Sequence, residues 1–529
     1  MLRSAKALTV RSYVSPLSLP AAAAAALISV AAGCGPLGVP ELPFRPEEAR
    51  LTDVRTFVKS GVVSCRQLIN RYQLLHDVAD NSLRTMITWN DRVLSDADRL
   101  DQVPSAQRGS FHCVPIVVKD NINVSGLTTT GGVKGLLGTK TGSNAEVVQR
   151  FLTAGAIVLG KTNMPDFAIN GINTLSSAGG QTGNPYSPSL TVYGSSGGSA
   201  AAVSASLGVI GLGTDTFGSL VQPASATGLV AIRPTQGLVS GSGILPLMSL
   251  QDMPGPMTRT VEDAAAALEL MVDSKFAPQG SQSYTTMLRS DGLTGLKIGY
   301  DLSVLQALPA PMLTPSKEVQ DLFSQALSNL SKGGAATKQV PVLTTLFPAL
   351  QAATDASFQC MPVDFKQSFN AYLTATRADL SVKSLADVIA GGQFLDSVKA
   401  FITDAQAKTD TIATSTACQQ YLTARTAASA AITALMDKEG VDLLVYPAAN
   451  QPAFAAGAAP PAGWYGFQVM SSPTGLPSLT MPMGIAATSG APVGMIFLAR
   501  GYQEGKLVQA GYSYQKQFKP RSTPPAVVP

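Results

Sequence analysis

Histidine is nearly missing from this chain. Its 529 residues hold two, His76 and His112, and both precede the serine-rich centre of the sequence. That centre, 193-YGSSGGSAAAV-203, contains a G-x-S-x-G pattern around Ser196, the mark of a nucleophile elbow. An α/β-hydrolase needs its histidine after that serine, in the order Ser, acid, His, and none follows here. Orders that put histidine first would have to recruit His76 or His112. The better base for a serine in such a chain is a desolvated lysine.

Charge is also scarce. Charged residues make up 14% of the chain and the net charge is +4. No Lys/Arg cluster occurs, which argues against a nucleic-acid partner. The five cysteines include no C-x-x-C spacing, so no zinc or redox motif is readable, and no cofactor or metal is expected. No Walker A pattern is present, and Gly211-Leu212-Gly213 lacks the third glycine of a dinucleotide loop. Lys140-Thr141-Gly142 and the Ser513 to Lys516 run match penicillin-binding motifs, but in reversed order. What is plentiful is apolar surface, at 45% of residues, enough for a large core. The 48 Gly and 35 Pro are spread along the chain and imply many loops.

The N-terminus differs in kind. Arg3, Lys6 and Arg11 precede the apolar run 19-LPAAAAAALISVAAGC-34. It is shorter than the about 20 residues of a comfortable membrane span. A basic start, a short apolar centre and small residues at its end read as a secretory leader. Ala31-Ala32-Gly33-Cys34 is similar to a bacterial lipobox, with Ala31 where Leu is usual, which makes Cys34 a candidate for lipidation. Plain cleavage near Gly33 and an organellar leader are the alternatives. The expected location is outside the cytosol: periplasmic, on the outer membrane through a lipid anchor at Cys34, or secreted. In such a location Cys65, Cys113, Cys360 and Cys418 can pair, early with early and late with late. Four cysteines allow three connectivities, and buried free thiols are the other reading.

Residues 1–33 are thus read as a leader, 34–46 as a Pro-rich linker, 47–520 as one domain and 521–529 as a tail. The segment 51-LTDVRTFVKSGVVSCRQLINRYQLL-75 has helical periodicity broken by Gly61 into two helices. Then 114-VPIVVKD-120 reads as a buried strand, 145-AEVVQRFLTAGA-156 as an amphipathic helix and 157-IVLG-160 as a strand. The small residues of 199-SAAAVSASLG-208 suit a buried helix, and 261-VEDAAAALELMV-272 is another. The region of about 300–440 is Ala/Ser/Gln-rich, mostly helical and free of glycine motifs. Strands return at 441-VDLLVYPA-448 and 492-PVGMIFLAR-500. The alternation predicts an α/β fold, a sheet covered by helices.

Within this frame Lys119 stands at the tip of an apolar strand. It either snorkels to solvent or is held in a site with a lowered pKa. The run Thr214-Asp215-Thr216-Phe217-Gly218-Ser219 can gather amides around an oxyanion, or be a tight turn beside a helix.

These stretches resemble the amidase signature family. The resemblance is carried by 112-HCVPIVVKDNINVSGLTTTGG-132, 160-GKTNMPDFA-168, 183-GNPY-186, the Gly194 to Ser199 run and 211-GLGTDTFGSLVQPASATGLVAIRPTQGLVS-240. It continues through 251-QDMPGPMTRTVEDAA-265, 442-DLLVYPA-448, 473-PTGLPSLTMPMG-484 and 492-PVGMIFLARGYQEGKL-507. It covers roughly residues 47–515. It implies a single large domain with a mixed, twisted central sheet covered by helices on both faces. It also implies a Ser–cis-Ser–Lys triad, with Ser219 as nucleophile, Ser195 as bridge after a cis Gly194–Ser195 peptide, and Lys119 as base. Ser196 then becomes a supporting hydrogen-bond group. Amides around Thr216, Phe217, Gly218 and Ser219 would hold the oxyanion. The implied activity is hydrolysis of linear amides, by a monomer or homodimer without a cofactor.

Two departures are visible. Phe217 stands where the family usually has glycine, and its ring could line the acyl pocket. Val221 stands where many members have an arginine that meets a substrate carboxylate, which points to a neutral or apolar small-molecule or peptide amide. With 236-QGLVSGSGILPLMSLQDMPGPM-257, this is similar to the branch containing bacterial peptide amidases. The competing readings are the glutaminase component of a tRNA amidotransferase, an ester or urethane hydrolase of the same fold, and an inactive binding protein.

Overall fold

A computed structural model describes residues 45 and 47–525, apart from 139, 274, 276–282, 306–314, 377–381 and 462–469. The leader and Cys34 lie outside the described residues.

Among the described residues thirteen strands occur, in chain order. They are β1 (Met86–Trp89), β2 (Pro115–Lys119), β3 (Ile157–Thr162), β4 (Leu175–Ser176), β5 (Gly180–Gln181), β6 (Ile210–Asp215) and β7 (Val230–Arg233). After these come β8 (Met253–Thr258), β9 (Lys297–Tyr300), β10 (Ala336–Gln339), β11 (Leu443–Pro447), β12 (Ser478–Ile485) and β13 (Pro492–Leu498). β4 and β5 form a small separate ribbon. The other eleven form one mixed sheet in the order β1-β3-β2-β6-β8-β7-β12-β13-β11-β9-β10. Within it, β3, β2 and β6 run parallel. From β6 through β12 to β11 the neighbours are antiparallel.

The parallel trio sets up the site. β2, β3 and β6 are buried along their whole length, which explains why each reads as an unbroken apolar or small-residue run. Lys119 is level with Thr162 on β3, and Val118 with Leu212 on β6. The carboxyl ends of the three strands therefore finish together, bearing Lys119, Thr162 and Asp215.

The crossover from β3 to β6 carries the buried helix Gly197–Ser204, which packs on β2, β3 and β6. Its small residues are required by that closeness. A Cβ on Gly198 would sit 2.3 Å from the Asn163 carbonyl oxygen. Ser199 pins the helix to both flanking strands, bonding Thr162 Oγ1 at 2.6 Å and the Leu212 carbonyl at 3.0 Å.

The helices Leu51–Lys59 and Cys65–Leu83 match the expected pair, and Gly61 between them has φ of 71°. The region of about 300–440 supplies Lys317–Lys332, Val342–Thr376, Leu385–Gly391, Asp396–Ala407 and Thr416–Glu439. It also supplies β10, an edge strand that the helical reading missed. Cys65 is joined to Cys113 and Cys360 to Cys418, with Cα separations of 5.3 and 4.6 Å. The second bridge ties the long helix Val342–Thr376 to Thr416–Glu439. Among the described residues no helix is long and apolar enough to cross a membrane.

Candidate active site

Lys119 is fully buried at the end of β2. Its Nζ lies 2.8 Å from Ser195 Oγ, 2.8 Å from Thr214 Oγ1 and 3.2 Å from the Thr214 carbonyl. No carboxylate of a described residue pairs with it. Lys161, one strand away, is equally buried but lies 3.2 Å from Asp120 Oδ1. The two neighbouring lysines thus differ in kind. Lys161 is half of a buried ion pair, whereas Lys119 has only neutral acceptors. Burial pushes the Lys119 pKa down to about 7, against weaker upward pulls from Asp252 and Asp215.

Ser195 is fully buried, and the Gly194–Ser195 peptide is cis. It immediately precedes Ser196, whose Oγ donates to the Thr214 carbonyl at 2.9 Å and accepts from the Thr214 amide at 3.2 Å. Ser196 therefore splices the serine loop onto β6 and has no free hydroxyl to attack with. The Ser196 amide also donates to the Ser219 carbonyl at 3.2 Å, which brings the two serine loops together through backbone. Among the described residues no hydrogen bond joins the Ser195 and Ser219 hydroxyls.

Ser219 is 6% exposed, the most accessible of the three serines. Its loop is held from below by Asp215. That carboxylate accepts from the Gly218 amide at 3.1 Å, the Leu220 amide at 2.8 Å, Ser472 Oγ at 2.7 Å and Arg233 Nε at 3.2 Å. Gly218 has φ of 91°, a conformation that suits glycine alone. Its amide also meets Ser472 Oγ at 3.1 Å. The Gly218 N–H is thus committed to the loop itself, so of the four amides expected around an oxyanion, those of Thr216, Phe217 and Ser219 are the ones left to serve.

Three residues that sequence reasoning did not single out complete the surroundings. Thr214 gives Lys119 two of its three acceptors. Asp252, half-buried, accepts from Thr216 Oγ1 at 2.5 Å and from the Leu247 and Met248 amides at 2.9 and 3.1 Å. Burial pushes its carboxyl up to about 7. Phe358, on the helix Val342–Thr376, stacks on Phe217 with ring centroids 4.6 Å apart and planes 4° apart. A cavity of about 480 Å³ opens between Thr214, Asp252 and the Ser368–Tyr372 face of that helix.

Neither histidine belongs to the site. His112 precedes β2 and packs against Cys65, with Nε2 3.8 Å from Sγ. A strand rises about 3.3 Å per residue, so it sits at the opposite end of β2 from Lys119. His76 faces Asp77 and Asp80, each at 3.3 Å, and its ring lies tilted against Trp89, with centroids 4.4 Å apart.

A buried lysine with neutral acceptors beside a buried serine, at the carboxyl ends of parallel strands, is an arrangement in which lysine can stand where histidine would otherwise be the base. The sequence model of the Amidase family matches residues 64–508, and the chain belongs to that family. Its curated relatives include one component of the glutamyl-tRNA(Gln) amidotransferase of Lactiplantibacillus plantarum, 31% identical over 88% of this chain and 96% of that one. The corresponding component from Gloeobacter violaceus is 32% identical over 89% of this chain and 96% of its own. Among solved structures, the native peptide amidase of Stenotrophomonas maltophilia superposes with a TM-score of 0.80 at 31% identity, covering 91% of this chain and 99% of that one. The protein is accordingly an amidase-family hydrolase of carbon–nitrogen bonds, built as a single α/β domain around a large mixed sheet.

Proposed function

We propose that the protein cleaves a linear amide bond of a neutral or apolar substrate through an acyl-enzyme on Ser219. The observation that carries this reading is the 2.8 Å contact between Lys119 Nζ and Ser195 Oγ inside a fully buried setting. A neutral Lys119 takes the proton of Ser195, which takes that of Ser219. Ser219 attacks the amide carbonyl, and the developing oxyanion is met by amides of its own loop. The leaving amine is protonated by return of the proton along the same relay. Water then cleaves the ester to regenerate Ser219.

The amidotransferase relatives support a second reading, a glutaminase-type component of a larger assembly. Val221, in place of the arginine that could meet a substrate carboxylate, favours the first reading, and so does the leader-like N-terminus. We further propose that the mature protein begins near Cys34 outside the cytosol. The mass of the N-terminal peptide from cells tests this, a start at Met1 being the result against it.

The discriminating experiment is an amide panel read by mass spectrometry. Release of ammonia from C-terminal peptide amides or apolar primary amides supports the proposal. Turnover of glutamine alone, dependent on a co-purifying partner, would favour the second reading. Activity is expected to survive a chelator, and irreversible loss restored by added metal would contradict the relay.

A further inference from the structure

Phe217 lies two residues before Ser219, and its ring leaves the nucleophile loop toward the helix Val342–Thr376. There it meets Phe358 face to face, with centroids 4.6 Å apart and planes 4° apart. Phe358 is 46% exposed. A ring that open gains little from burial, so the core does not explain it.

Both partners are fixed in place. Thr216, adjacent to Phe217, is bound to Asp252, whose other oxygen holds the Met248 amide. Met248 Sδ in turn lies 3.9 Å from Ser357 Oγ, adjacent to Phe358. Two residues further along, Cys360 is bridged to Cys418. Consecutive residues of the nucleophile loop are therefore linked to consecutive residues of the helix, once through Asp252 and Met248 and once ring on ring.

We propose that Phe217 and Phe358 form one aromatic wall that determines acyl specificity, favouring amides whose acyl group carries an aromatic ring or broad apolar face over small acyl groups. The inference rests on the amidase reading above. The acyl side is chosen for a chemical reason. After attack, the acyl group stays bonded to Ser219, two residues from Phe217, while the amine departs. A wall on the nucleophile loop is thus placed on the side of the reaction whose group stays bound to Ser219 through both halves.

The test compares kcat/KM for phenylacetamide, hexanamide and acetamide, by ammonia release, in wild type and in Phe217→Gly, Phe358→Ala and the double variant. The expected result is a loss of roughly three- to tenfold in the phenylacetamide-to-acetamide ratio in each single variant. The double variant should lose little more, because either change removes the stack. An unchanged ratio in both singles overturns the proposal, as does an equal fall on all three amides, which would mark a structural role. Phe358→Leu covers the case in which Phe358→Ala unfolds. It keeps apolar bulk without a flat ring, and its ratio should still fall. Wild-type turnover with no change of ratio removes the wall alone, whereas absence of any amide turnover by wild type removes the amidase reading and the wall with it.

Discussion

Thr214 offers Lys119 two acceptors, its hydroxyl at 2.8 Å and its carbonyl at 3.2 Å. A neutral amine has two N–H donors and one lone pair. With both N–H groups directed to Thr214, the lone pair is left facing Ser195 Oγ, the third contact at 2.8 Å. An ammonium instead donates to all three oxygens and can accept nothing. The same geometry thus serves a base in one protonation state and disables it in the other.

The first prediction follows from this switch. With its pKa near 7, Lys119 is a base above that pH and is lost as one below it, so kcat/KM for an amide should fall on the acid side through that region. Lys119→Ala should cost roughly 10²- to 10⁴-fold. Lys119→Arg should not restore activity, because arginine stays protonated. A pH–rate profile in which the arginine variant kept most activity and an unchanged acid limb would make the lysine structural.

Asp252 should tune that limb. Its carboxylate pulls the Lys119 pKa upward, although burial is the larger effect and pulls it down. Asp252→Asn removes the negative charge while keeping an acceptor for Thr216. The acid limb should therefore move to lower pH. A shift to higher pH, or none with activity otherwise intact, would mean that the charge does not reach Lys119.

Ser219 and Ser196 are separated by covalent labelling. Ser219→Ala should lose both turnover and reaction with a fluorophosphonate. Ser196→Ala should remain labelled, because the Ser196 hydroxyl is occupied on both sides by Thr214 backbone. Stoichiometric labelling of the first variant and none of the second would restore Ser196 as nucleophile.

The parts legible in the sequence were those whose cause is local. Lys119 ends a run of apolar residues that fits a buried strand, and the glycines flanking Ser195 mark a loop with no room for side chains. His112, read as the fallback base, lies at the opposite end of β2 from Lys119. Thr214 was read only as part of a loop, because its acceptors matter only once β6 is laid beside β2. Phe358 carried no signal at all: its partner is 141 positions away, and only packing of the long helix brings them together. β10 was missed because Ala336–Gln339 is largely exposed, so an edge strand there needs no apolar alternation. The Gly218 amide was expected to face the oxyanion, and the turn that aims it at Asp215 depends on a carboxylate held by Arg233 and Ser472.

That carboxylate supports the last prediction. Arg233 and Asp215 are both fully buried, and Nε lies 3.2 Å from Oδ1. The guanidinium also donates to the Gln251 carbonyl at 2.8 Å and the Ser472 carbonyl at 3.2 Å, so it joins the nucleophile loop to two distant segments. Truncating one member of a buried pair leaves the other charged and without its partner, at a cost of about 3–5 kcal/mol. Arg233→Ala should therefore lower the denaturant midpoint strongly, and residual folded protein should turn over slowly because the Ser219 loop loses its anchor. Arg99→Ala provides the contrast. Its side chain is 70% exposed and its bond to Asp96 spans one helical turn, so its effect should stay within about 1 kcal/mol. Denaturant unfolding of both variants, followed by tryptophan fluorescence and by amide turnover, measures the difference. Equal midpoints for the two variants would show that the Asp215–Arg233 pair does not hold the nucleophile loop in place.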